Sequence, residues 1–273
     1  MNTHVTQASL RGRNWFNALT QNLNLIETPI DSLLIADGQW NGQEVRVFAI
    51  VTDELNKYPR ARSGEVGLLE GWALAQSINE LIQADSGKTK KRAILCIVDV
   101  PSQAYGRREE VLGIHQALAG AVDAYATARL AGHPIVSLLV GKSMSGAFLA
   151  HGYQANRILA LKDQGVMVHA MGKESAARVT LRSVEELEAL AATIPPMAYD
   201  IESYSTLGLL SDVLEVEAAE QPTVADIIAV KAAVNEAIQD IQKQGNVDLK
   251  HRLNGKNRKA SKQVRELLRE QWS

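Results

Sequence analysis

The chain has 273 residues, 46% of them hydrophobic and 22% charged, enough to bury a full core in one large domain or two small ones. A net charge of −2 argues against binding nucleic acid or membrane over the whole surface, and a single cysteine, Cys96, excludes an internal disulfide and a multi-cysteine metal site. The first residues are polar rather than charged-then-apolar, and no apolar run reaches the roughly 18 residues of a membrane span, so a reducing, cytoplasmic setting is expected.

After a polar lead-in with one amphipathic stretch, "SLLIADG" and "EVRVFAIV" flank "QWNG" and predict a β-hairpin. Val66, Leu68, Leu69, Trp72, Leu74, Ile78 and Leu81 recur at helical spacing. "RAILCIVDVP" is a continuous apolar run of strand length, expected in a sheet covered on both faces, with Cys96 as a buried strand thiol. From Arg108 to Ala131 an Ala- and Leu-rich stretch predicts one long helix, with Gly132 as its C-terminal cap and Pro134 opening the next element.

"IVSLLV" predicts a second buried strand, "GAFLAHGYQ" a short helix, and "RILAL" and "GVMVHA" further strands. "SVEELEALAATI" opens with Ser183 and Glu186 at capping-box spacing. The strand–helix–strand alternation implies crossover units and a largely parallel sheet. From about Glu215 a helical stretch with an acidic entry follows, and residues 249–273 carry eight Lys/Arg against two Glu. That tail reads either as a solvated helix or as a docking surface for an acidic partner.

The segment between "IVSLLV" and "GAFLAHGYQ" invites three readings. A phosphate-binding loop needs Gly five residues before Gly-Lys-Ser, where Val136 stands, so no phosphate cradle is expected. A nucleophile elbow centred on Ser143 needs Gly where Ser145 stands, and although His151 and His169 lie downstream, nothing nearby marks an acid partner. A small-residue turn between strand and helix instead exposes consecutive backbone N–H groups that stabilise negative charge, and Ser145, Gly146 and Ala147 let a substrate approach the backbone. Tight strand–helix packing explains the same residues equally well.

The order of motifs resembles the crotonase-like carboxyltransferase superfamily. Asp99-Val100-Pro101-Ser102 occupies its first turn, Gly141 to Ala147 its glycine-rich oxyanion loop, and "LLEGWALAQSI" is similar to the helix before the same strand in acetyl-CoA carboxyltransferase α subunits. "VDVPSQAYGRREE", "GHPIVSLLVGKSMSGAFLAHGYQANRILAL", "VMVHAMGKESAARVT" and "IPPMAYDI" resemble more closely the γ subunits of biotin-independent malonate decarboxylases, over roughly residues 12–215. The resemblance implies an α/β fold of the ClpP/crotonase type, a β-β-α spiral with mostly parallel sheets and flanking helices. It divides the chain into a carboxyltransferase-type domain, 1–215, and a helical extension with a basic tail, 216–273.

The resemblance also implies a decarboxylase formed with a homologous β subunit, acting on malonyl thioester carried by an acyl carrier δ subunit. The carrier would hold the thioester on a phosphoribosyl-dephospho-CoA arm, an α subunit would exchange acetyl for malonyl, and no biotin or metal would be used. Under that reading the amides of Gly146 and Ala147 donate to an oxyanion, with Ser145 and Met144 beside them, while Ser143, Gln103, Tyr105, His169 and Gly172 are candidates for substrate contact. Arg107 and Arg108 are candidates for the carrier's arm, and His115 for packing or an interface. This chain has Gly-Lys-Ser-Met-Ser-Gly-Ala-Phe where carboxyltransferase α subunits have a glycine-rich loop, so Met144 implies a reduced cavity with no carboxybiotin to house. Phe148 and Leu149 stand where hydratases carry a Glu, leaving hydratase chemistry unsupported. Two alternatives stay open: a biotin-dependent carboxyltransferase α-type subunit, and a non-catalytic scaffold for the β subunit.

Overall fold

The hairpin sets the start of the sheet. In the computed structural model, which describes residues 8–245 and 247–272, β1 (Asn24–Ile26), β2 (Leu33–Trp40) and β3 (Gln43–Ile50) run antiparallel. The two-residue turn Asn41-Gly42 has positive φ at both positions, 48° and 76°, the hand that matches strand twist. β3 then pairs in parallel with β4 (Ala93–Val100), and β4 with β5 (Ile135–Met144). The parallel part continues through β6 (Arg157–Leu161) to β8 (Asp212–Leu214).

β5 changes partner along its length. Val136–Leu139 pair with β6, while Lys142–Met144 pair with β7 (Met167–His169). The strand therefore runs straight through the Gly-Lys-Ser-Met segment, which the sequence presented as a loop. Asp99 explains the register irregularity beside it: its Oδ1 accepts from the Lys142 amide (3.2 Å) and its Oδ2 from the Gly12 amide (3.1 Å). A methyl group at Gly141 would overlap that carboxylate, so only glycine fits there.

Helices cover the sheet. α1 (Arg11–Thr20) buries Trp15, Phe16 and Leu19; the first seven residues of the polar lead-in lie outside the described residues. α2 (Leu68–Ala84) begins after Val66, which instead bridges to Gln103. Its Glu70 is fully buried, accepting from Ser32 Oγ (2.6 Å), Asn56 Nδ2 (2.7 Å) and the Gly67 amide (3.0 Å), so the carboxylate satisfies the helix entrance. Next to it Gly71 packs on the following long helix: a Cβ would lie 2.6 Å from the Ala117 carbonyl oxygen.

The expected single helix from Arg108 to Ala131 is two. α3 (Arg107–Val111) stops at Leu112, and α4 (Ile114–Leu130) restarts after Gly113, whose φ of 85° breaks the ladder. Gly132, with φ 91°, follows the end of α4 as expected. α5 (Ser145–Ala150) springs directly from β5. α6 (Lys173–Thr180) precedes α7 (Val184–Ala191), where Ser183 and Glu186 form the capping box foreseen. After α8 (Ile201–Ser205), α9 (Val224–Gln244) is capped by Thr223 and Asp226 and buries Val230, Val234, Ile238 and Ile241 in the main core. α10 (Lys259–Trp272) buries nothing. Among the described residues, no helix is long and apolar enough to cross a membrane.

Candidate active site

The site is built at the turn where β5 becomes α5. Ser145 adopts φ 58°, a left-handed conformation that non-glycine residues rarely take, and its Oγ donates to the Ala170 carbonyl at 2.9 Å. This bond ties the head of α5 to the segment following β7. Gly146 comes next; its amide donates to Gln103 Oε1 at 2.9 Å. Gln103 belongs to the Asp-x-Pro turn after β4, where the Val66 amide and carbonyl bond Ser102 and Ala104 and hold the strand ends together. The two motifs singled out in the sequence thus meet through one hydrogen bond between a backbone donor and a carboxamide oxygen.

Beside this pair lies a cleft of about 340 Å³, mostly apolar, bordered by Ser145, Gly146, Tyr153, His169, Tyr204 and Leu207. His169 Nδ1 sits 3.1 Å from the Met171 amide nitrogen and 2.9 Å from its carbonyl oxygen, and the ring stacks on Tyr199 with centroids 4.0 Å apart. Burial holds its pKa below the ordinary histidine value, so the imidazole is neutral near pH 7. Lys173 Nζ approaches the Tyr199 ring at 5.5 Å, and the buried Tyr199 hydroxyl has no partner among the described residues.

The other predicted residues fall at different depths. Ala147 is fully buried at the head of α5, and Met144 is buried against Ala176, Leu187 and Tyr199 rather than filling the cleft. Ser143 is fully buried inside β5, its Oγ without a partner among the described residues. Tyr105 is half exposed beyond the turn, and Gly172 caps the start of α6 outside the cleft. Arg108 stacks on Tyr58 at 5.0 Å, and His115 is exposed on α4. His151 is fully buried between Tyr125 Oη and the Ile97 carbonyl (both 3.0 Å), and burial lowers its pKa to about 4. Locked in that way it serves no serine. Cys96 is likewise fully buried, its thiol pushed up to about 12 by burial.

Sequence reasoning missed the far wall of the cleft and the Tyr199 stack, although "IPPMAYDI" had marked that segment as part of the resemblance. It also missed that Gln103 itself occupies the Gly146 amide. No spacing rule reports a side chain reaching across 43 residues of chain.

A second cavity, about 620 Å³, opens near the carboxyl ends of β4 and β5 beneath α1, lined by Arg11, Glu65, Asp99, Lys142 and Glu220 among others. Arg11 pairs there with Asp163 (2.6 Å) and Glu220 (2.5 Å), and Asp99 is spent on two amides. Among the described residues, no cluster of three or more His, Cys, Asp or Glu side chains could hold a metal ion.

Known proteins resemble this chain in sequence and in fold. The model of the malonate decarboxylase gamma subunit family matches residues 61–272. The malonyl-S-ACP:biotin-protein carboxyltransferase MADD of Malonomonas rubra is 35% identical over 212 residues, 75% of this chain and 73% of its own. Among solved structures, one chain of a Pseudomonas malonate decarboxylase hetero-tetramer in complex with coenzyme A superposes with a TM-score of 0.92 at 63% identity, over 96% of this chain and 99% of that one. A chain of the Pseudomonas MdcD–MdcE hetero-dimer superposes at 0.89 with 61% identity, over 97% and 100%. Transcarboxylase 12S, at 19% identity and a TM-score of 0.63 over 86% of this chain and 40% of its own, shares the carboxyltransferase fold.

Proposed function

The chain belongs to the malonate decarboxylase gamma subunit family, and from that premise we propose that it joins a homologous β subunit to decarboxylate malonyl thioester on an acyl carrier protein. In this reaction the bond between the malonyl methylene and its carboxylate breaks and CO2 leaves. The electron pair moves onto the thioester carbonyl oxygen as an enolate, and a proton then completes the acetyl thioester. The developing charge sits on one oxygen, so preorganised N–H donors at that oxygen lower the barrier, typically by about 3–4 kcal/mol per donor.

The observation that carries this reading is the carboxamide oxygen of Gln103 resting on the Gly146 amide. A carbonyl-type oxygen already stands where the thioester or carboxylate oxygen would be received. We assign Gly146 and Ala147 as backbone donors and Ser145 as the residue that holds the turn in its left-handed conformation. Gln103 yields its position to substrate, and His169, neutral and stacked, borders the acyl group. Met144 supports the turn from behind. Tyr105, Ser143 and Gly172 support the reading less, since they sit at the rim, inside the strand and at the head of α6. Residues 1–215 carry the chemistry and 216–273 form the extension. The thioester arm is the carrier's phosphoribosyl-dephospho-CoA, loaded by an α transferase subunit. A cytoplasmic setting suits a chain whose one cysteine is buried and unpaired.

Replacing Gly146 by Val in the assembled β–γ complex tests the assignment. A Cβ there would stand 3.3 Å from both Gln103 Oε1 and Leu118 Cδ1, so the larger side chain fills the receiving position. Decarboxylation of malonyl carrier is expected to fall by about 10²–10³-fold with the complex intact. Full activity would leave the chain as a scaffold for chemistry held by the β subunit. A second reading, carboxyl transfer to a biotin protein, is favoured by the similarity to the carboxyltransferase MADD. Labelled carboxyl appearing on a biotin carrier instead of as CO2 would select it.

A further inference from the structure

α10 buries none of its side chains against the described residues. Every residue from Lys259 to Trp272 is exposed, including Val264 (55%), Leu267 (47%), Leu268 (47%) and Trp272 (86%). Those four fall at i, i+3, i+4 and i+8, a single apolar stripe. A free helix of this length is marginal in water, so the stripe needs something to cover it. The charges around it are one-sided. Arg265 borders the stripe on one side, with Arg269 and Lys262 stepping away behind it; Gln263 and then Glu270 lie towards the other side, and Glu266 and Lys259 lie opposite. A helix lying flat on anionic lipid carries cations along both borders. A single basic border fits an acidic element packed alongside.

The root of α10 abuts the candidate active site. The Arg252 guanidinium donates to the Tyr153 carbonyl (2.9 Å) and to that of Ala155, and stacks on the Tyr153 ring at 5.1 Å. Arg258 Nε donates to the Leu207 carbonyl (2.9 Å), and the Asn257 amide to that of Thr206 (3.0 Å). Tyr153 and Leu207 are walls of the 340 Å³ cleft. A protein seated on α10 is therefore held at the edge of the cleft that would receive its thioester. The whole chain is −2 while residues 249–273 are +6, with Lys259, Lys262, Arg265 and Arg269 against Glu266 and Glu270 on α10 itself, so the rest of the surface repels an acidic partner and leaves this C-terminal segment as the attractive approach.

We propose that α10 is the docking helix for the acidic acyl carrier protein, its apolar stripe covering a hydrophobic patch of the carrier and its basic border pairing with the carrier's carboxylates. This rests on the reading that the substrate is a carrier-bound malonyl thioester.

The test uses the full β–γ complex, a complex lacking residues 259–273, and one with Lys262, Arg265 and Arg269 each changed to Glu. Each is assayed on malonyl carrier protein and on malonyl-CoA, and its affinity for unloaded carrier is measured by fluorescence anisotropy. Both variants are expected to raise the carrier KM and Kd by about tenfold or more and to flatten the salt dependence, with malonyl-CoA kinetics unchanged. Unchanged carrier affinity, equal losses on both substrates, loss of the β subunit, or α10-dependent sedimentation with phosphatidylglycerol vesicles would each overturn the proposal. An intact complex that turns over neither thioester but still binds carrier through α10 would sink the decarboxylase reading and leave the docking site standing.

Discussion

The cavity beneath α1 is larger than the cleft beside α5, yet the reaction is proposed for the smaller one. In the cavity, ionic groups neutralise one another: Arg11 holds Asp163 and Glu220, and Asp99 is consumed by the Gly12 and Lys142 amides. In the cleft the walls are mostly apolar, and the polar groups at its head are the Ser145–Gly146 turn and a neutral histidine. Charge developing in the cleft would meet the Gly146 amide once Gln103 gives way, whereas Arg11 and Asp99 in the cavity are held by fixed partners. Volume is a poor guide where the question is which polar groups are available.

The sharpest way to break this contrast is at Gly141, in the strand that borders the cavity at Lys142 and ends at the turn. Gly141→Ala drives a methyl into the Asp99 carboxylate and is expected to cost on the order of 4 kcal/mol, read as a large drop in the denaturant midpoint. Adding Asp99→Ser should recover part of the loss; no recovery would mean that the carboxylate is not the obstacle.

A smaller effect concerns His151, buried at the end of α5. Its folded pKa of about 4 lies below the unfolded value near 6.5, so only the unfolded chain takes up the proton between those values. This stability is complete above pH 6.5 and drains as pH falls towards 4, by about 3 kcal/mol at most. Denaturant midpoints measured from pH 7 to 4.5 should fall accordingly, and His151→Gln should flatten that part of the profile. An identical slope in the variant would put the titration elsewhere.

The smallest effect is at Ser145. Ser145→Val forces a β-branched side chain into the left-handed region and is expected to cost about 1–3 kcal/mol. Ser145→Gly exchanges relief of strain for loss of the bond to Ala170 and should stay within about 1 kcal/mol of the parent. If valine were tolerated as well as glycine, the turn would not depend on its strained conformation.

Much of this was legible beforehand because it depends on short-range chemistry. The Asn-Gly hairpin, the apolar runs of β4 and β5, the Ser183–Glu186 box and the cap at Gly132 each follow from a few neighbouring residues. The errors have equally local causes. Gly113 interrupts a stretch whose composition is otherwise helical, and Gly141 to Met144 reads as a loop because its small and polar residues are stabilised by β4 and β7, partners distant in sequence.

By itself, then, the sequence determined the order and type of most elements and the family, and it singled out the turn at Ser145 to Ala147 as the candidate site. Those are matters of periodicity, caps and motif order. Only the tertiary structure decided that Gln103 reaches the Gly146 amide, that Ser143 and His151 are withdrawn into the core, and that α9 is buried while α10 is not. Both helices are amphipathic in sequence. Which one is covered depends on where the chain returns to the sheet, and that is a long-range property of packing.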